Sequence, residues 1–416
     1  MRMKKPITLA FMIFLAAFTC CPVARGTSNP GIPASVVQHQ HVFTTGWYPR
    51  MLQLGNALLV AYFNGSVVLG GVNLTTGVVN PPKTIIPGGD RPMLLHDPVA
   101  RRVMCVFNYN GYGNGAGIGI AYANDTQWQN TGAWVIQHGL VGPIVQANDL
   151  IGVWEPYIAS FDDATGRFLL FFSNQTSFNA SRPIDDGGYY FTQEGFAVNQ
   201  QIDVKWMTWN GTGFVSSDAG VVSNDIDGKN IHYKDGMASA VLVDETAMSK
   251  SFIVTFESFP RGQPSSIAAV RITVSLSAGV VSEWRRVVTN DNSVAPFIAR
   301  WKDGYAVSYR HDFETPKEVL GLVGVSSDGV AISLPVHAVD CPSVWPSLYT
   351  LDNGSLWVAG GSNTTSNLII AAQIAPSFQW LQTIPLMAAT CPIIIVAIAG
   401  IVMVCNAGIA RRKIAE

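Results

Sequence analysis

Two glutamates stand out in a chain that uses charge sparingly. Glu155 opens a strand-like run in Trp154-Glu155-Pro156, and Glu257 closes another in Thr255-Phe256-Glu257. Charged residues make up only 13% of the 416 positions, against ~25% in an average soluble protein, so acids recurring at matching places in the pattern are informative. Two carboxylates that reach one substrate are the apparatus of glycosidic-bond cleavage. One, ionised, attacks the anomeric carbon or activates water, and the other, protonated, assists the departing oxygen. Spacing along the chain does not say which is which. A structural role competes for both residues: a glutamate beside a strand-start proline can cap a strand edge or pair with Arg50 or Arg91.

Whether the two acids can meet depends on the elements that carry them. The stretch Gly152–Asn174 alternates apolar residues, turns at Asp162-Asp163-Ala164-Thr165-Gly166 and returns through Phe171-Phe172, which is the pattern of a β-hairpin. Five more hairpins align with it. They begin at Tyr48-Pro49-Arg50, Arg91-Pro92-Met93, Met237-Ala238-Ser239, Ala295-Pro296-Phe297 and Trp345-Pro346-Ser347, and Ala238 alone replaces the proline. Successive anchors lie 43, 64, 82, 58 and 50 residues apart, with further β-like runs in the gaps, such as 117–122, 204–209, 267–274 and 319–325. Four short strands in each of six repeats predict an all-β, six-bladed propeller over residues 27–380. The proline is expected at the first position of each innermost strand, where a missing N–H is tolerated. The run 36–43 is expected to close the ring beside 368–374.

In an antiparallel hairpin, the start of the first strand and the end of the second share an edge. The residues beside every aligned proline therefore gather at one mouth of the disc. Those positions hold Arg50, Asp90, Arg91, Asn108, Trp154, Glu155, Asn174, Asp235, Glu257, Arg310, His311, Asp312 and Trp345. Glu155 and Glu257 sit on adjacent blades and should approach across the channel. The tryptophans serve equally well as packing or as sugar platforms.

Outside the repeats, Arg2, Lys4 and Lys5 precede an apolar run and Ala24-Arg25-Gly26, the layout of a signal peptide over residues 1–26. Residues 386–410 are apolar and are followed by Arg411-Arg412-Lys413, which reads as a single transmembrane helix with a cytoplasmic tail at 411–416; a cleaved lipid-anchor signal is the alternative. The expected setting is the secretory pathway and cell surface. Sequons at Asn64, Asn73, Asn124, Asn174, Asn179, Asn210, Asn353 and Asn363 agree with it. Cys105 and Cys341 are the only cysteines between the two segments, and can pair or remain thiols. A net charge of −2 gives no footprint for nucleic acid. The glycine-rich stretch 110–119 lacks a following helix and is no phosphate loop.

Trp154-Glu155-Pro156 with Phe171-Phe172-Ser173-Asn174, then Gly236-Met237 leading to Thr255-Phe256-Glu257, resembles glycoside hydrolase family 93, six-bladed propellers of the sialidase-like superfamily that act as retaining exo-arabinanases on α-1,5-linked L-arabinofuranose chains. The resemblance implies Glu155 as nucleophile, Glu257 as general acid/base and Arg50 as a channel-lining arginine. A carbohydrate substrate is expected, bound by the mouth residues Arg50, Asp90, Arg91, Trp154, Asn174, Asp235, Arg310, His311 and Trp345, in a monomer without metal or cofactor. The chain departs from the pattern in an Asn- and Gly-rich insertion between Phe178 and Asn230, and in Lys234-Asp235 where Arg-Pro is expected. Two alternatives stand beside it. A sialidase would use Arg50, Arg91 and Arg310 to grip a carboxylate and Tyr349 as nucleophile, but the Asp-box candidate Ser216–Gly220 lacks its tryptophan. The other is a non-catalytic surface propeller that binds glycans or a protein.

Overall fold

In the computed structural model, the described residues run from 32 to 374, leaving out 35–36, 110–116, 143–151, 184–195, 223–232, 261–263, 291, 313–317, 332, 334, 339–341 and 363–367. They form six four-stranded antiparallel blades. Blade one is Trp47–Leu54, Ala57–Phe63, Val67–Asn73 and Val79–Ile86; blade two is Asp90–Asp97, Arg102–Tyr109, Gly117–Asn124 and Val135–Val141. Blade three comprises Val153–Asp162, Arg167–Pro183, Phe196–Trp209 and Phe214–Val221, and blade four Tyr233–Glu245, Ser249–Pro260, Ser266–Ser275 and Gly279–Thr289. Blade five has Val294–Trp301, Gly304–His311, Val319–Val325 and Val336–Ala338; blade six has Val344–Thr350, Leu356–Gly361 and Leu368–Ile374.

Blade six is completed from the other end of the chain. Val37–Thr45 pairs antiparallel with Leu368–Ile374, the ring closure expected of the run 36–43. Just before it, Ile32–Ala34 adds a parallel fifth strand to blade five against Val336–Ala338, which no sequence signal announces.

The second strand of each blade shows why the sequence folds this way. Leu58–Tyr62, Val103–Phe107 and Phe168–Phe172 are buried throughout, because each such strand has a sheet neighbour on both edges and another blade against each face. A strand wetted on neither face reads as a continuous apolar run, without polar alternation. The apolar clusters lie between blades: Leu59 and Val67 of blade one pack with Leu94 and Val103 of blade two, and Met51 and Leu58 pack with Trp357 and Ala359 of blade six.

Cys105, deep in blade two, is a free thiol whose pKa burial pushes up; Cys341 lies outside the described residues. So do the expected signal peptide, the 386–410 segment and tail, the glycine-rich 110–116, and Asn363. No helix among the described residues is long and apolar enough to cross a membrane.

Candidate active site

The aligned prolines do not begin their strands. In every blade the innermost strand pairs for one or more residues, bulges, and resumes pairing after the proline or Ala238. Trp47 pairs with Phe63 and Arg50 with Ala61, so Tyr48 and Pro49 together face Tyr62. The same two-against-one step sets Arg91-Pro92, Glu155-Pro156, Met237-Ala238, Ala295-Pro296 and Trp345-Pro346 against single residues. The first residue of each bulge is left-handed: φ is 54° at Tyr48, 45° at Arg91, 56° at Glu155, 53° at Met237, 53° at Ala295 and 54° at Trp345. None is glycine, and the left-handed conformation costs such residues about 1–2 kcal/mol each. The proline follows where the bulge has removed the ladder partner for its missing N–H.

Six strained residues therefore ring the mouth, and their backbone N–H groups turn away from their own ladders. Side chains of the preceding blade capture three of them. Asn108 Oδ1 accepts from Glu155 N–H at 2.8 Å, Ser173 Oγ from Met237 N–H at 3.1 Å, and Glu257 Oε2 from Ala295 N–H at 3.0 Å. Asn108, Ser173 and Glu257 hold equivalent register positions, paired with Asp90, Trp154 and Gly236. Arg91 N–H is taken by Asp90 Oδ1 at 2.6 Å.

This bracket also locks Glu155. Its Oε2 accepts from Ser173 Oγ–H and from Met237 N–H, both at 2.9 Å, while Oε1 lies 4.0 Å from Arg91 Nε. Arg91 in turn donates to Asp90 at 2.8 Å, and lies over the rings of Tyr48 and Trp154 at 4.8 and 5.6 Å. Glu257 is 5% exposed, with Oε2 committed to the bracket. The other oxygen faces Glu155 across Gly236: a Cβ placed on that glycine would stand 3.3 Å from Glu155 Oε2 and 3.3 Å from Glu257 Oε1. Those two oxygens are thus at most twice 3.3 Å, or about 6.6 Å, apart. A side chain there would also meet Gln200 Nε2, at 2.7 Å from its Cβ, and push that amide aside.

The rest of the mouth divides by chemistry. The rings of Tyr48 and Trp345 lie tilted against each other with centroids 4.6 Å apart, and both pack against Met237, Phe259, Val294 and Ala295, so an aromatic, apolar side adjoins the Asp90–Arg91–Glu155 side, where Arg91 donates to Tyr48 Oη at 3.3 Å. One step deeper, Arg50 lines the channel with Tyr157 and Phe297. Its guanidinium donates to Pro49 O at 2.8 Å and lies 5.1 Å from the Phe297 ring centroid; desolvation holds its pKa down, at about 10. Burial likewise pushes the Tyr157 phenol up to about 12, with its hydroxyl donating to Ala240 O at 2.6 Å.

Four expected binding residues are engaged elsewhere. Asn174 points away from the channel because side chains alternate along a strand: its neighbour Ser173 reaches Glu155, and Asn174 Nδ2 donates to Asp203 at 2.5 Å. Asp235 is 2% exposed and bound by Arg285 through two contacts of 2.9 and 3.1 Å. Arg310 makes a bidentate pair with Glu318 at 2.9 and 2.8 Å while lying over Trp345. His311 stacks on His337 with centroids 3.9 Å apart, and its Nε2 is 3.5 Å from Asp312. Ser173, Gly236 and Gln200 are the site residues that sequence reading overlooks, and the period-two alternation from Glu155's paired strand is the signal that finds Ser173. Among the described residues no group of three or more His, Cys, Asp or Glu is placed to hold a metal ion.

No family model matches the chain, and no curated protein matches it. Similar solved structures include an exo-1,5-α-L-arabinanase from a bovine ruminal metagenomic library, 11% identical at a TM-score of 0.38, covering 79% of this chain and 93% of that one. The α-L-arabinanase of Cellvibrio cellulosa complexed with arabinohexaose is 11% identical at 0.38, covering 79% and 91%. The GH62 α-L-arabinofuranosidase catalytic domain of Coprinopsis cinerea is 10% identical at 0.41, covering 82% and 98%. Where the names of such structures give a family, it is 43 or 62, not the family 93 that the sequence motifs resemble.

Proposed function

We propose that the protein is a retaining, exo-acting glycoside hydrolase for terminal furanosides of the α-1,5-L-arabinan type. The observation that carries this reading is the pair of carboxylates flanking Gly236, at most about 6.6 Å apart between facing oxygens. Retaining enzymes hold their carboxyls ~5–5.5 Å apart and inverting enzymes ~6.5–9.5 Å, so the bound reaches only the foot of the inverting range. Glu155, oriented by Ser173 and Met237 N–H and next to Arg91, attacks the anomeric carbon. Glu257 donates its proton to the leaving oxygen, then takes one from the water that hydrolyses the glycosyl-enzyme, and the anomeric configuration is retained. The Tyr48–Trp345 pair offers the apolar face of the sugar a platform. Glu155→Gln and Glu257→Gln should each abolish release of arabinose from debranched arabinan while leaving the fold intact. Wild-type turnover in either variant would remove that residue from the mechanism.

One observation favours a second reading. Glu257 Oε2 brackets the next blade just as Asn108 and Ser173 do, which is the structural role a non-catalytic, glycan-binding propeller would need. Binding on a glycan array without product from arabinan or sialyl-lactose selects it. The sialidase alternative loses support: Arg91 and Arg310 are already paired to Asp90 and Glu318, and Tyr349 packs among the clusters joining blade one to its neighbours.

A further inference from the structure

Three of the sequons share one geometry. At Asn124, Oδ1 accepts from both the backbone N–H and the hydroxyl of Thr126, at 3.0 and 2.7 Å. Asn210 does the same with Thr212 at 3.1 and 3.0 Å, and Asn353 with Ser355 at 3.0 and 2.7 Å. All three asparagines are exposed. All three also lie on the same edge of the disc, since each follows a strand that runs away from the mouth: Arg102 pairs with Asn124, Trp209 with Phe214 across the Asn210 turn, and Thr350 with Leu356 across the Asn353 turn. The motif spans three residues, so it forms locally, before blades close. Each Oδ1 is thus loaded by at least two donors, with Gly213 N–H a third at Asn210, which polarises the carboxamide and makes its Nδ2 proton more acidic.

Three of the other sequons lack this arrangement, while Asn363 and the side chain of Asn179 lie outside what the structure describes. Asn73 is half-buried, and the Thr75 hydroxyl goes to Asn56 instead. Asn174 sits in a strand with Nδ2 donating to Asp203. Asn64, on a mouth-side turn, has its Ser66 hydroxyl engaged by Gly88 N–H.

We infer that Asn124, Asn210 and Asn353 are N-glycan acceptor sites that clothe the face opposite the mouth, and that Asn174 is not an acceptor. The donor class is a polyprenyl-pyrophosphate-linked oligosaccharide. The anomeric C–O bond to pyrophosphate breaks, a C–N bond to Nδ2 forms, the Nδ2 proton passes to a base on the transferase, and the lipid pyrophosphate departs. The inference rests on passage of the chain through a secretory compartment and is independent of the hydrolase reading. To test it, the full chain is expressed in a eukaryotic secretory host, deglycosylated with peptide N-glycosidase in 18O-water, and mapped by peptide mass spectrometry. The expected result is the 18O-aspartate tag in the majority of copies at Asn124, Asn210 and Asn353 and its absence at Asn174. An untagged majority at any of the three, or a tag at Asn174, overturns it. Thr126→Val, Thr212→Val and Ser355→Ala should each remove one glycan, read as one step in gel mobility; mapping of the unaltered chain decides the matter should a variant fail to be secreted.

Discussion

Arg50 and Arg310 are both arginines of the channel region, and the same substitution should move stability in opposite directions. Arg50 has, among the described residues, a backbone carbonyl and an aromatic face but no carboxylate within salt-bridge distance. Desolvation lowers its pKa to about 10, from an ordinary value of ~12.5. At ~1.36 kcal/mol for each tenfold change in proton affinity, holding that cation costs the fold on the order of 3 kcal/mol near neutral pH. Arg50→Met keeps the length of the side chain and its packing on Phe297 while removing the charge, so unfolding in denaturant at pH 7 should become harder by about 1–3 kcal/mol, with a melting temperature several degrees higher. Arg310→Met leaves the buried Glu318 carboxylate without its bidentate cation, and should destabilise by about 3–5 kcal/mol. If Arg50 grips substrate, its variant should also lose catalytic efficiency about tenfold or more, the usual exchange of stability for function at a site. A destabilised Arg50→Met protein, or an Arg310→Met protein as stable as the parent, would refute the reasoning.

Two further substitutions probe the carboxylate pair. Gly236→Ala places a methyl against Gln200 Nε2 and between the two glutamates; steady-state assays on arabinan should show turnover reduced by about a hundredfold or more, with a stability loss of only about 1–3 kcal/mol, and unchanged kinetics would mean that the gap is not where substrate reacts. Ser173→Ala removes the hydroxyl donor to Glu155 Oε2, a contact to a charged group worth about 1.5–3 kcal/mol, so kcat should fall about ten- to a hundredfold with KM little changed. A variant whose KM alone rises would place Ser173 in substrate binding instead.

How far the sequence could be read follows from what kind of information each feature carries. Blade anchors were legible because proline and the buried second strands recur locally. The closing strand was legible because the run 36–43 has no hairpin partner of its own and the last blade needs a fourth strand beside Leu368–Ile374. The approach of Glu155 to Glu257 followed from strand direction alone. Left-handed bulges were not legible: the residues that adopt them are Tyr, Arg, Glu, Met, Ala and Trp, none of which favours that conformation, and only a register step in the neighbouring strand produces it. The fates of Asp235 and Arg310 were hidden for a different reason, since Arg285 enters from the outermost strand of its blade and Glu318 from the residue just before the strand Val319–Val325, and neither pairing has a motif of its own. Ser173, not the expected Asn174, reaches the channel because a one-residue shift in strand phase exchanges the two faces.

The N-terminal strands have a consequence for how the molecule is made. Ile32–Ala34 and Val37–Thr45 are synthesised before any blade, yet their partners, Val336–Ala338 and Leu368–Ile374, are among the last described residues to be synthesised. During translation the earliest segment must therefore wait, its hydrogen-bonding edges uncommitted, while the intervening blades are produced. Long-range pairing of this kind is slow and exposed to misassembly, so a helper that shields an unpaired strand should matter most for residues 32–45. Once the latch closes, neither of these terminal strands is left as a loose end from which the ring can be peeled open.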